Sequence, residues 1–368
     1  MPVTIRGKLG SGFTFALGDT FAITLRGRFM LRYSLLAHDE QRSHDLAVRR
    51  ARLYMQGHVL RRDLQYMLHV AFANQDYDPI SNNLLYDAYV QWVRWRDLNI
   101  RVGQQIVPFN RSRVISTQNA ELVDRSIVNA ELNLDRDIGV KLFSNDLFGW
   151  GGRLGYELFV GTGEGRNQLC ADMGLLYMGR LQLNPMGAFD DMIEGDLERH
   201  ARPKLSLAGN LAFNHSAVRQ RSTTGTRYTL GSFNYLHAAV DLLFKWRGLS
   251  VMAEWLYRQA DHDSNQGIEA GHDKTEYSRS GMGYFVQLGY VTPWKIGISG
   301  RYSQELAAAG TDPSLITQVS QTGRELIGAL SYYLAGHVLK LQADYAYLYG
   351  DDLAAGRHQF RLQAHVGY

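Results

Sequence analysis

The sequence predicts an all-β chain, a transmembrane antiparallel up-and-down β-barrel of about sixteen strands. Three observations predict it. Apolar and polar residues alternate with a period of two along most of the 368 residues. The connections between alternating stretches fall into short turns and long polar loops that take turns along the chain, as two rims of a membrane barrel require and a sandwich does not. No apolar run approaches the roughly 18 residues that a spanning helix needs, although hydrophobic residues make up 45% of the chain.

Composition agrees and narrows the alternatives. Tyr 21, Phe 15 and Gly 37 beside only Pro 7 describe a strand-rich chain with aromatics for an interface. A net charge of +3, carried by dispersed basic residues, does not mark a nucleic-acid binder. Cys170 is the single cysteine, which removes disulfide scaffolds and cysteine-zinc sites, and it reads as a small residue near a loop. The twelve histidines show no metal-ligand spacing, no serine–histidine–acid arrangement stands out, and no cofactor is implied. Met1-Pro2 opens without a basic and an apolar export region, so the expectation is a mature chain from which the signal peptide has been removed.

The clearest strand is 21–35. Phe21, Ile23, Leu25, Gly27, Phe29, Leu31, Tyr33 and Leu35 share one face; Arg26, Arg28 and Arg32 lie on the other. The alternation returns at Leu53, Met55 and Val59, at Tyr66 to Phe72, Tyr86 to Trp92 and Ile100 to Ile106, then from Ile138, Leu154, Leu175 and Leu205 onward. In the second half it recurs near 238–246, 249–257, 282–290, 294–302, 326–332, 337–347 and 358–368. Phe360, Leu362, Ala364, Val366 and Tyr368 give the last strand an apolar face ending in an interfacial aromatic. Residues 3–17 form an alternating, hairpin-like lead, so 1–18 divides from a barrel over 19–368.

Arg247-Gly248, Thr292-Pro293 and Leu334-Ala335-Gly336 read as the short turns; 214–235, 259–281 and 304–323 read as the long loops. The stretch 184–203 is long where a short turn belongs, and a small docked helix is one way to fill it. VGTGEGR at 160–166 resembles a glycine-rich phosphate loop, but no amphipathic helix follows it.

LYDAYVQW at 85–92, LNIRVGQQIVPF, ELVDRS and LDRDIGVKLF, in that order, resemble the central block of the phosphate-selective porin O and P family. RRARLYMQG at 49–57, MGRLQLNP at 178–185 and the closing HQFRLQAHVGY are similar too. The resemblance implies a homotrimeric outer-membrane barrel in contact with lipid and lipopolysaccharide. It also implies that the third long loop, here 108–136, folds into the lumen and narrows it. It carries a pair of arginines onto Arg49 and Arg50 and an aspartate onto Asp87 at the constriction. Strict alternation turns Arg50 and Arg52 inward and Arg49 outward unless a bulge intervenes. By the same resemblance the lead at 1–18 sits on the periplasmic side against a neighbouring subunit. The chain departs from the family in its lysines, seven against thirty-two arginines and none in 108–136.

The predicted lumen face carries Arg26, Arg28, Arg32, Arg50, Arg52, Arg101, Arg180 and Arg301, with Arg111, Arg113 and Arg125 on the inner loop. Facing lipid, an arginine costs about 2–4 kcal/mol at the midplane. Inside, rings of fixed positive charge replace part of an anion's hydration, and the guanidinium fork takes two oxygens at once. The expected function is therefore passive diffusion of small anions, phosphate among them, without turnover. The competing expectation is a structural or partner-plugged barrel with little conductance, its arginines neutralised by Asp87, Asp137, Glu157, Asp241 and Glu254.

Overall fold

The computed structural model describes residues 3–38, 40–77, 83–169 and 174–368; Cys170 lies outside them. A hairpin of β1 (Val3–Lys8) and β2 (Gly12–Leu17) leads into the ring. The ring begins with β3 (Phe21–His38), β4 (Gln41–Val59), β5 (Arg61–Ala71), β6 (Leu85–Trp92) and β7 (Asn99–Ile106). It continues through β8 (Arg136–Ser144), β9 (Leu154–Gly161), β10 (Leu176–Leu183), β11 (Lys204–Ala217), β12 (Phe233–Trp246) and β13 (Leu249–Ala260). A separate hairpin, β14 (Ser264–Glu269) and β15 (His272–Tyr277), stands in the following loop. Then come β16 (Gly281–Val291), β17 (Ile296–Ala307), β18 (Arg324–His337), β19 (Leu339–Tyr349) and β20 (Arg357–Gly367). Each pairs antiparallel with the next, and β20 returns to β3 with His358 opposite Ala37, which closes sixteen strands and leaves no edge.

The two faces sort as the period of two demands. On β16 Met282, Tyr284, Val286, Leu288 and Tyr290 are exposed, while Phe285 and Gln287 between them are buried. The turns follow their own chemistry. Trp246 pairs with Leu249 across Arg247 (φ 50°) and Gly248 (φ 94°), the doubly positive two-residue turn that matches strand twist. The regular ladder between β18 and β19 ends at Tyr333 and Lys340, while β18 itself runs on to His337 before the chain turns at Val338. At the other rim lie 218–232, 261–280 and 308–323, the last holding helix α3 (Pro313–Thr322) capped by the Asp312 carboxylate. No helix among the described residues is long and apolar enough to cross a membrane.

Two segments fold into the lumen. The first is 107–135, with short helices α1 (Arg111–Val114) and α2 (Ile127–Leu132). Its Val107, Phe109, Val128, Leu132 and Leu134 pack on Phe159, Leu176, Met178, Ala212, Ala239 and Leu256 of β9 to β13, which makes an apolar core inside the barrel. β16 admits it by having no side chains in the way: a Cβ on Gly283 would meet Val128 at 2.9 Å, and one on Gly289 would meet Glu121 at 2.1 Å. The second is 184–203. It forms no helix, contrary to the docked helix that the sequence suggested, because its own polar groups bond outward rather than along the chain. Asn119 Nδ2 donates to the Met192 carbonyl (2.9 Å), the Glu194 amide to the Asn119 carbonyl (3.1 Å) and the Gly248 amide to Asp196 (2.7 Å).

Candidate functional site

The sites the sequence pointed to are held by two different walls. On β4 a register shift opposite Met30 and Leu31 inserts one extra residue, Arg49, between Val48 and Arg50. This bulge turns Arg49 inward beside its neighbour: Arg49 Nη1 donates to Gln75 Oε1 (3.0 Å), and Arg50 Nη1 lies 2.8 Å from Asp76. Arg52 forks onto the same Asp76 carboxylate at 2.6 and 3.0 Å. Arg32 donates to Asp124 of the inner loop at 2.8 Å. Burial works against the Asp124 charge, yet Arg32, Arg49 and Arg361 hold its carboxyl well below the usual carboxylate range. Asp87 accepts from Arg136 Nε (2.8 Å) and from His69 Nδ1 (2.7 Å).

Along β3 to β8, three cavities follow one another from rim to rim. The first, about 240 Å³, is lined by Arg26, Ser116 and Gln118 near Gly10 and Tyr368. The second, about 200 Å³, shares Tyr54, Met67 and Ser116 with it and adds Arg52, Arg101, Arg125 and Arg136 around Asp87. The third, about 530 Å³, shares Tyr86 and Arg113 with the second and adds Arg49, Arg50, Arg166, Arg219 and Arg221 with Asp76 and Asp135. Eleven arginines and three aspartates line the series. Tyr86 stands at the junction with the guanidiniums of Arg136, Arg52 and Arg166 at 3.7, 4.2 and 4.7 Å from its ring centre. Arg101 donates to Gln91 Oε1 (2.8 Å), and Arg125 to the carbonyls of Ser112 and Ile115 (both 2.6 Å), so neither charge is cancelled locally. Burial, with Arg113 beside it, lowers the Arg125 guanidinium to about 9.

Most of the remaining residues lie on the opposite wall, and all are held by partners of the chain itself. Arg111 is 1% exposed and bonds Asp241 and Asp191 at 2.8 Å each; Arg180 donates to Asp241 at 2.6 Å. Glu254 accepts from Asn110 Nδ2 (2.9 Å), Glu131 gathers Arg258, Arg279 and Arg221, and Arg301 pairs with Glu325 at 3.0 Å. Asp137, read from sequence as a counter-charge for arginine, instead accepts from the Gly163 and Gly165 amides (2.7 and 3.3 Å) and the Thr162 hydroxyl. The glycine-rich 160–166 stretch thus wraps a carboxylate of its own chain. Arg113 reaches Asp135, and Glu157 takes Lys141.

Sequence reasoning passed over Arg136, Arg166, Arg219 and Arg221. Arg166 sits in the stretch weighed only as a nucleotide loop, and Arg219 and Arg221 sit in a loop where no periodicity points inward. No group of histidine, cysteine and carboxylate that could hold a metal occurs among the described residues.

Residues 23–168 match the family described as phosphate-selective porin O and P. No curated protein matches the chain. Among solved structures, the outer membrane channel DcaP of Acinetobacter baumannii is 13% identical over 97% of this chain and 100% of its own, with a TM-score of 0.58. The anion-selective porin from Comamonas acidovorans is 10% identical over 95% and 100%, with a TM-score of 0.57. The trimer form of OmpT of Vibrio cholerae is 12% identical over 95% and 100%, with a TM-score of 0.54. At these identities the likeness is one of fold.

Proposed function

We propose that the chain is an outer-membrane porin, not an enzyme, through which small anions diffuse passively along the β3 to β8 wall. The observation that carries this reading is the excess of eleven arginines over three aspartates lining the linked cavities. An anion leaving water meets fixed guanidiniums in series, so it trades hydration for charge repeatedly without one deep trap. Arg49, Arg50 and Arg52 hold the upper part, Arg101, Arg113, Arg125 and Arg136 the narrowest, and Arg26 the exit; Asp87 orients Arg136. The match at 23–168 covers the strands that carry most of these residues, and the fold is shared with an anion-selective porin and a trimeric one. A homotrimer is proposed on that ground, with the β1–β2 hairpin against a neighbour on the periplasmic side.

Purified protein in a planar bilayer under a chloride gradient is expected to give a reversal potential of the anion-selective sign. A cation-selective sign refutes the proposal. Repeating the measurement with phosphate as competitor tests whether that ion is preferred. A second reading, a plugged barrel of little conductance, draws on the way 107–135 and 184–203 together fill the β9 to β18 side. Absence of stepwise currents would favour it.

A further inference from the structure

Behind the first cavity stands a group of side chains that the proposed path does not need. Arg28, His337, Lys340 and His365 are 3%, 9%, 0% and 0% exposed. Three of them reach one short stretch of the inner loop. Arg28 Nη1 donates to Ser116 Oγ (2.7 Å), His337 Nδ1 to the Gln118 carbonyl (3.1 Å) and Lys340 Nζ to the Ala120 carbonyl (2.7 Å). His365 lies directly opposite Lys340 on one side and Met30 on the other, one inward position from Arg28. Among the described residues none of the four has a carboxylate within 4 Å, and Arg28 Nε and Nη2 have no hydrogen-bond partner.

Buried donors left unmade cost about 1–3 kcal/mol each, more when charged. Two positive charges with no counter-charge in the same place add to that cost. The unmade atoms of Arg28 are also the pair on one edge of its guanidinium, whose N–H bonds point in parallel and can donate to two oxygens of one anion. We infer that Arg28, Lys340 and His365 form a buried site for a small oxyanion, a carboxylate or a phosphate, held by the Arg28 edge with the His365 ring beside it, while His337 stays bonded to the loop. Lys340 supplies charge while keeping the loop carbonyl. The inference deepens the anion reading, since Ser116 lines both the first and second cavities and makes the site a stop beside the path.

The test is binding rather than current. The melting temperature of the detergent-solubilised protein is followed at constant ionic strength as sodium acetate, or separately sodium phosphate, replaces sodium chloride. A saturable rise is expected. Its half-saturation weakens at least tenfold in Arg28→Gln and in His365→Gln, and stays as it was in Arg153→Ala, an exposed arginine that bonds the Trp150 carbonyl and lines none of the three cavities. Saturation by acetate alone or by phosphate alone identifies which oxyanion is held. No saturable rise, or one unchanged in both variants, overturns the site. A saturable rise in a protein whose reversal potential has the cation-selective sign would leave the site standing and sink only the porin reading.

Discussion

The β3 to β8 wall and the β9 to β18 wall enclose the same lumen with opposite economies of charge. On the second, nearly every arginine has its carboxylate: Arg111 and Arg180 share Asp241, Arg258 and Arg279 share Glu131, and Arg301 has Glu325. Apolar loop residues close what remains. On the first, arginines outnumber acids and several bond only to neutral oxygens, Arg101 and Arg125 among them. One side is built like a protein interior, where an unpaired charge is expensive; the other is built like a wet surface, where an unpaired charge can still serve an ion. The lumen is therefore packed and charge-paired on one side and lined by cavities and arginines on the other, and the loop 107–135 is the boundary between them.

Removing a carboxylate should hurt the filled side most. Burial works against the Glu131 charge, but Arg258, Arg279 and Arg221 hold its carboxyl below the usual range. Glu131→Ala leaves Arg258 buried with backbone carbonyls but no carboxylate, and Arg279 with only the Asp312 carboxylate, and should cost about 3–5 kcal/mol, read as a lowered midpoint of unfolding in detergent. A loss of less than about 1 kcal/mol would erase the contrast between the walls. Gly289→Val puts a side chain where Glu121 lies and should cost about 1–3 kcal/mol by overpacking, with 107–135 becoming open to protease. Full resistance to cleavage would show that the socket on β16 is not what seats the loop.

Arg101→Ala asks the reverse question on the open side. A single charge is worth about 1 kcal/mol at contact in water, so the anion-to-cation permeability ratio should fall several-fold while the unfolding midpoint stays put. A drop in the midpoint with selectivity intact would make that arginine structural. The smallest effect expected is one of pH. Burial, with the Glu194 carboxylate beside it, pushes Glu121 up to about 7; Ser250, Gln287 and the Lys245 ammonium also face it. Its folded value is above its unfolded one, so the seam between 107–135 and 184–203 is firm below about pH 4.5 and loosens as pH rises through about 7. Amide exchange at Glu194 and Gly195 should quicken over that window, and Glu121→Gln should flatten the change.

Much of the fold was legible because each rule behind it is local. A period of two tells lipid from lumen, and a pair such as Arg247-Gly248 names its own turn. The filled wall was not legible, since Phe109 meets Leu256 and Glu121 meets Gln287 only after the ring has closed. Segment 184–203 shows no period because its bonds go to the inner loop, to β12 and to the turn after it rather than to a strand partner. Asp137 looked like a counter-charge because sequence gives the face of a residue but not the backbone amides that wait there. Arg49 was placed outward by strict alternation, and nothing in RRAR announces the extra residue that turns it in.

That extra residue changes how densely charge can be strung along a pore. A strand advances about 3.3 Å per residue and shows one side chain in two to the inside, so inward charges on one strand stand nearly 7 Å apart at best. With the bulge, Arg49, Arg50 and Arg52 occupy a length of β4 that would otherwise present two guanidiniums. On the proposed path, three guanidiniums in that span would let an anion begin its next contact before it has let go of the last.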